Sequence, residues 1–134
     1  MDIYTERTEN YKESRTLLVL DDLGQELRHD IDMRVLNLLV SNSRHLHISI
    51  VHLCQKLTQS PTIFRANADV IVMFSAASMI EREALYREVS VCDKKTFFGL
   101  LNKATANTDH GFLCSCIGTD GQLRLYNKDM ELLY

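Results

Sequence analysis

The apolar positions in the first half of the chain predict a strand, a helix and a second strand. Residues 16–20 form a largely apolar run that ends in Asp21 and Asp22, a pattern typical of a strand buried on both faces. Residues 28–43 carry apolar side chains at spacings of three and four, which predicts an amphipathic helix of about four turns. Residues 47–53 are rich in Ile and Val and predict the second strand, so that the helix makes a parallel crossover.

The second half predicts further elements that end in a hairpin. In chain order they are a short helix over residues 61–67, a strand over 69–74, two helices over 78–89 and 94–104, and two strands over 111–117 and 122–126. Ser78 and Glu81 have the spacing of a capping box at the start of a helix. The glycine-bounded turn from Gly118 to Gly121 suits a terminal β-hairpin.

Length and composition indicate one compact protein. The 134 residues, 46% hydrophobic and 25% charged, fit a single domain with a real core. No linker divides the chain, so we expect a polar N-terminal segment over residues 1–15, an α/β core over 16–110, and a hairpin and tail over 111–134. No apolar run approaches the roughly 20 residues that span a bilayer, and the polar start does not suit a secretory signal, so an intracellular protein is expected.

Net charge and cysteine content exclude few classes of protein function. The formal net charge of −3 gives no general basic field, so any contact with nucleic acid would have to be local or made by an oligomer. The four cysteines lack CxxC or zinc-site spacing and are interpreted as reduced thiols. Cys114 and Cys116 would share one face of a strand.

Three polar residues mark one edge of the predicted sheet. Asp21, Asp22 and Gln55 follow the ends of the first two strands, where ligands bind in open α/β sheets. LLVLDD matches a Walker B strand, in which the first acid holds Mg²⁺ and the next orients the attacking water. An amide at Gln55 could contact a terminal phosphate or that water. Alternatively, the acids cap the turn after a buried strand, and Gln55 is a solvated loop residue.

Beyond this motif, the chain resembles a known family. LLVLDDL, followed by a helix and by SRHLHISIVHLCQKLTQSPTIFRANADVIVMFSAAS, is similar to the viral genome-packaging ATPases of the FtsK/HerA superfamily. The similarity spans residues 17–78. Its landmarks are an Arg-His pair, an Ile-Ser strand, a terminal Gln, and an Arg-x-Asn segment before an apolar strand that ends in Phe.

The resemblance implies an ATP-driven motor that moves double-stranded DNA into a virion and works as a homo-oligomeric ring. It implies a RecA-like P-loop NTPase fold, a three-layer sandwich with a mainly parallel sheet, here as one partial domain over residues 1–134. Asp21 would then bind Mg²⁺, Asp22 would be the catalytic acid, and Gln55 the polar sensor of ATP. Location in the host cytoplasm, the nucleus or the virion would follow.

Two arginines are candidates for a charge-stabilising role across a subunit boundary. Arg44 lies before the second strand, at the edge opposite Asp21, and Arg65 lies in the Arg-x-Asn segment. Either could act as an arginine finger from a neighbouring subunit. Alternatively, each is a surface residue that pairs with an acid or caps a helix.

The sequence contains no GxxxxGK[ST] loop to hold the phosphates of a nucleotide. Two explanations stay open: the P-loop lies on a separate segment, which leaves this chain inactive alone, or the chain is a relative that binds partners without hydrolysing ATP. An α/β interaction module with no nucleotide history is a third possibility, and a metal-dependent nuclease using Asp21, Asp22 and Glu26 is a fourth. An exposed sheet edge where the P-loop strand belongs predicts oligomerisation.

Overall fold

The computed structural model describes residues 15–22, 30–76, 78–89, 91–106 and 109–134. These residues divide into two compact units. The first unit contains the described residues up to Gln55 together with Gln59–Asn67, and the second contains Lys56–Thr58 and Ala68–Tyr134. In the described ranges, no helix is long and apolar enough to cross a lipid bilayer.

The first unit is a strand-helix-strand crossover followed by a short helix. Strand β1 (Thr16–Asp21) leads through helix α1 (Asp30–Asn42) to strand β2 (Ile48–Leu53), and helix α2 (Thr62–Ala66) follows. β1 and β2 are parallel and pair from Thr16 with Ile48 to Asp21 with Leu53. Leu36, Val40 and Phe64 are buried together, and Leu20 and Ile50 pack against them from the strands.

In the second unit, two helices cover an antiparallel sheet. Its elements are β3 (Val70–Met73), α3 (Met79–Glu88), α4 (Lys94–Thr105), β4 (Leu113–Ile117) and β5 (Leu123–Tyr126), and the first two residues of a short 3-10 helix (Leu57–Gln59) also belong to it. The strand order is β3-β4-β5. The core of this unit is apolar and well buried, and it includes Met73, Val89, Phe97, Leu101, Leu113 and Leu125.

The two longer helices of the second unit begin at side-chain caps. Ser78 Oγ accepts a hydrogen bond from the backbone N–H of Ile80, which confirms Ser78 as the N-cap of α3. Glu81 accepts instead from the hydroxyl of Thr58 at 2.5 Å. Asp93 caps α4, because its Oδ1 accepts from the backbone N–H groups of the second and third residues after it, both at 3.0 Å.

The predicted α/β class, the parallel crossover and the C-terminal hairpin are confirmed. Cys114 and Cys116 do share a face of β4, since they pair with Val72 and Val70 on the neighbouring strand. The expectation of a mainly parallel sheet is wrong for the described residues, because β3 and β4 are antiparallel. Two successive helices, α3 and α4, separate these strands, so the chain reverses once more than in a one-helix crossover. The single partial domain stays a prediction.

Candidate functional site

The parallel pairing of β1 and β2 brings the ends of both strands to one edge. Asp21 pairs with Leu53, and the backbone N–H of Asp22 donates to the carbonyl oxygen of Leu53 at 3.1 Å. The ladder therefore continues one residue beyond β1. Gln55 follows two residues after Leu53, so its side chain starts close to that of Asp22.

A hydrogen bond joins the two polar side chains at this edge. The Gln55 Nε2 group donates to Asp22 Oδ2 at 3.0 Å, and both residues are exposed. Asp22 has a φ of 50°, in the left-handed region that Asp tolerates better than most residues. This conformation turns the chain out of the strand direction at the point where the carboxylate meets the amide. The predicted convergence of Asp22 and Gln55 is confirmed.

Asp21 is placed differently from Asp22. It is the last residue of β1 and is exposed. The alternation along the strand puts it on the same face as Leu17 and Val19, which are 63% and 52% exposed, while the opposite face packs towards the buried cluster of the first unit. Its carboxylate is thus open to a ligand that approaches this edge.

An aromatic contact supports the segment that carries Gln55. His52 of β2 stacks on Phe64 of α2, with ring centroids 4.3 Å apart, and its Nδ1 lies 3.2 Å from Ser60 Oγ. Ser60 is 6% exposed, and its carbonyl accepts from Arg65 Nε at 3.3 Å. These contacts close the base of the loop that contains Gln55.

Burial sets the protonation of His52 as well as its packing. Desolvation lowers the pKa of the His52 imidazole below its ordinary value. Its Nε2 is buried without a hydrogen-bond partner in the described part of the chain. The neutral ring is therefore the form that suits this position. The sequence analysis did not identify His52 as a functional residue. The feature that could have indicated it is a histidine on the otherwise apolar inner face of β2, shortly before Ser60 and Pro61.

The structure does not bring the two arginines to the carboxylates within this chain. Arg44 is exposed in the turn before β2, at the amino end of that strand, about 16 Å along the strand from the Asp21 end. Arg65 donates within its own segment, from Nε to Ser60 and from Nη2 to the hydroxyl of Thr62 at 3.2 Å. Among the described residues, neither arginine is bonded to Asp21 or Asp22.

The donor set at this edge fits Mg²⁺ better than a transition metal. Among the described residues, no three His, Cys, Asp or Glu side chains come together as a metal cage. Mg²⁺ is commonly held by one or two carboxylates together with water and substrate phosphates, and exposed Asp21 and Asp22 offer that arrangement. The phosphates would need a further partner, because the sequence has no GxxxxGK[ST] loop.

A family model matches most of this chain. The family model described as "Poxvirus A32 protein" matches residues 1–112, which include both strands of the first unit and β3. Neither the curated proteins nor the solved structures contain a match. Because the family model covers well over half of the sequence, the chain belongs to the poxvirus A32 protein family, which links it to the viral DNA-packaging ATPases.

Proposed function

We propose that this chain is the Walker-B-bearing part of an ATP-driven motor that moves double-stranded DNA. The observation that carries the proposal is the Asp22–Gln55 hydrogen bond at the ends of two parallel strands, in a chain of a packaging-ATPase family. A carboxylate and an amide in contact at this edge can serve hydrolysis, whereas a turn cap would need only one of them.

In the proposed mechanism each of the three residues has its own role. Asp21 would hold Mg²⁺ through its carboxylate oxygen, and Asp22 would orient the attacking water. Gln55 would then donate to the terminal phosphate or to that water instead of to Asp22. Bound Mg²⁺ would neutralise charge on the phosphates.

The exposed apolar face of the first unit supports a larger assembly. Leu17, Val19, Val51 and Leu53 are each at least 41% exposed on one face of the two-stranded sheet. Parallel sheets are almost always covered on both faces. We propose that a P-loop-bearing segment completes this sheet as a RecA-like three-layer sandwich, within a homo-oligomeric ring. Arg44 or Arg65 would then reach the nucleotide of a neighbouring subunit.

A second candidate function follows from the same face. A sequence without a P-loop that exposes four large apolar side chains on this face could serve as a non-catalytic module that binds a partner. In that case Asp22 and Gln55 would only close the turn after β1. The two candidates differ in whether Asp21 and Asp22 matter for nucleotide binding. In both, the family supports a location in the infected cell or in the virion.

Calorimetric titration of Mg-ATP into the purified chain separates the candidates. We expect binding without hydrolysis by the chain alone, and loss of that binding in Asp21→Ala and Asp22→Ala. Asp109→Ala is the matched control, since it removes the same charge from an exposed position in a turn of the second unit. Equal heats for the unmodified chain and for all three variants would support the partner-binding module.

A further inference from the structure

Helix α4 carries a basic outer face within an acidic chain. Its sequence KKTFFGLLNKAT contains three lysines and no acidic residue. Phe97, Leu101 and Ala104 are buried on the inner side of the helix. At 100° per residue, Lys95, Gly99, Asn102 and Lys103 lie on the opposite arc, and Lys94 and Phe98 lie on the flank that contacts α3. We name this the α4 face; it comprises Lys94, Lys95, Phe98, Gly99, Asn102 and Lys103.

Neighbouring side chains fix part of the α4 face. The Arg82 guanidinium of α3 lies 4.9 Å from the centre of the Phe98 ring and donates to Asn102 Oδ1 at 2.6 Å. Lys94 Nζ lies 5.7 Å from the same ring and 2.6 Å from Glu83 Oε1. The charge of Lys94 is thus partly neutralised, and two cations lie over the aromatic ring.

Two lysines of this face remain available to an external anion. Lys95 and Lys103 are exposed, and neither makes an ion pair within the described residues. They are eight residues apart, which is about 12 Å along the helix axis. Lys95 lies in the first turn, where the capping carboxylate of Asp93 offsets the positive end of the helix dipole. The positive charge of this side of the helix therefore comes from the two lysines.

Gly99 lies between these lysines, at a position where contacts with the described residues do not require glycine. A methyl group added at Gly99 would meet no atom within 4 Å. Glycine in the interior of an exposed helix is less stable than alanine. Packing against the described residues therefore does not explain why this position is a glycine. Because Gly99 has no side chain, a shallow cleft is present at this position, lined by Lys94, Lys95, Phe98, Gly99 and Asn102. Another backbone can approach the helix closely in this cleft.

We propose that the α4 face binds the phosphate backbone of double-stranded DNA. The inference rests on the proposed function, which supplies DNA as the partner class, and it identifies the surface that contacts it. Charge complementarity supports the choice, since Lys95 and Lys103 can contact separate phosphates while Asn102 donates a hydrogen bond. A lipid surface fits less well, because the aromatic ring of this face lies beneath cations instead of projecting outwards.

Binding of a labelled duplex, measured by fluorescence anisotropy at several salt concentrations, tests the surface. In Lys95→Ala/Lys103→Ala, we expect weaker binding and a salt slope smaller by roughly two, about one for each phosphate that is no longer neutralised. Arg87→Ala/Lys128→Ala is the control, because it removes two exposed positive charges from other parts of the second unit. Equal affinities and slopes for the two double variants would overturn the proposal.

Substitutions at Gly99 test DNA binding separately from the stability of the fold. Gly99→Ala should raise the Tm by roughly 3–5 °C, because alanine favours the helix and meets no neighbour. Gly99→Leu should keep the fold, yet weaken duplex binding by filling the cleft. If Gly99→Leu bound the duplex as tightly as the unmodified chain, or if anionic vesicles competed better than DNA, the proposal would be wrong.

The Mg-ATP titration distinguishes this proposal from the proposed function. Lys95→Ala/Lys103→Ala should give the same heat with Mg-ATP as the unmodified chain, because the α4 face holds none of the proposed nucleotide residues. Duplex binding that depends on Lys95 and Lys103 supports the surface, whatever the Mg-ATP titration shows. Duplex binding that does not depend on Lys95 and Lys103 would refute the α4 face as the DNA-binding surface and would leave the proposed function standing.

Discussion

Replacing Phe64 by alanine should loosen the first unit and disturb the loop that carries Gln55. The ring is 9% exposed, packs with Leu36 and Val40, and stacks on His52. Phe→Ala substitutions in cores cost about 3–5 kcal/mol, which includes the transfer free energy of the ring and the cavity left behind. This cluster is small and can partly collapse, so we expect about 3 kcal/mol. That corresponds to a roughly hundredfold change in the opening equilibrium.

Hydrogen exchange measures this effect residue by residue. In Phe64→Ala, amides of β1 and β2 should lose about two orders of magnitude of protection. The pKa of His52 should rise towards its ordinary value, because its ring loses a burying neighbour. Phe74→Ala is the control, since it removes the same ring from a residue that is 59% exposed. Unchanged protection of β1 and β2 in Phe64→Ala would refute the reasoning.

Three further predictions concern stability. The pKa of His52 is lowered from 6.5, so the free energy of unfolding should be highest above about pH 6.5 and should decrease as the pH falls below that value. In urea titrations at several pH values, His52→Leu should show a weaker pH dependence. The pKa of Asp93 is lowered chiefly by a hydrogen bond from the Thr96 hydroxyl, so the stability that the ionised Asp93 contributes should be lost as the pH falls below 3.8. In an acid titration, Asp93→Asn should not show this loss of stability. Leu125→Ala should cost about 2–5 kcal/mol in urea, and Leu132→Ala, which is 60% exposed, less than about 0.5.

Local patterns predict the elements of the fold, and non-local pairing is harder to predict. The apolar run before Asp21 and the glycine turn before β5 are signals contained in a few residues, and the structure confirms both elements. The partner of β3 lies about 40 residues away, and sequence spacing alone does not determine it. Counting two helices between β3 and β4 would have indicated an antiparallel pair.

The meeting of Asp22 and Gln55 was predictable because parallel strands end at one edge. The left-handed conformation of Asp22 was not, since Asp occurs in both strand ends and turns. The support from His52 was not predictable either. Its side chain lies on the inner face with Leu20 and Ile50, and only the packed structure brings Phe64 over its ring.

The most direct test of the nucleotide site is NMR observation of the Gln55 side-chain amide during titration with Mg-ATP. Without nucleotide, its signals should carry the signature of a hydrogen bond to Asp22, and Asp22→Ala should abolish that signature. On addition of Mg-ATP, we expect these signals and those of Asp21 to shift together. Signals that stay unchanged at saturating Mg-ATP, or that shift only in the second unit, would contradict the proposed site.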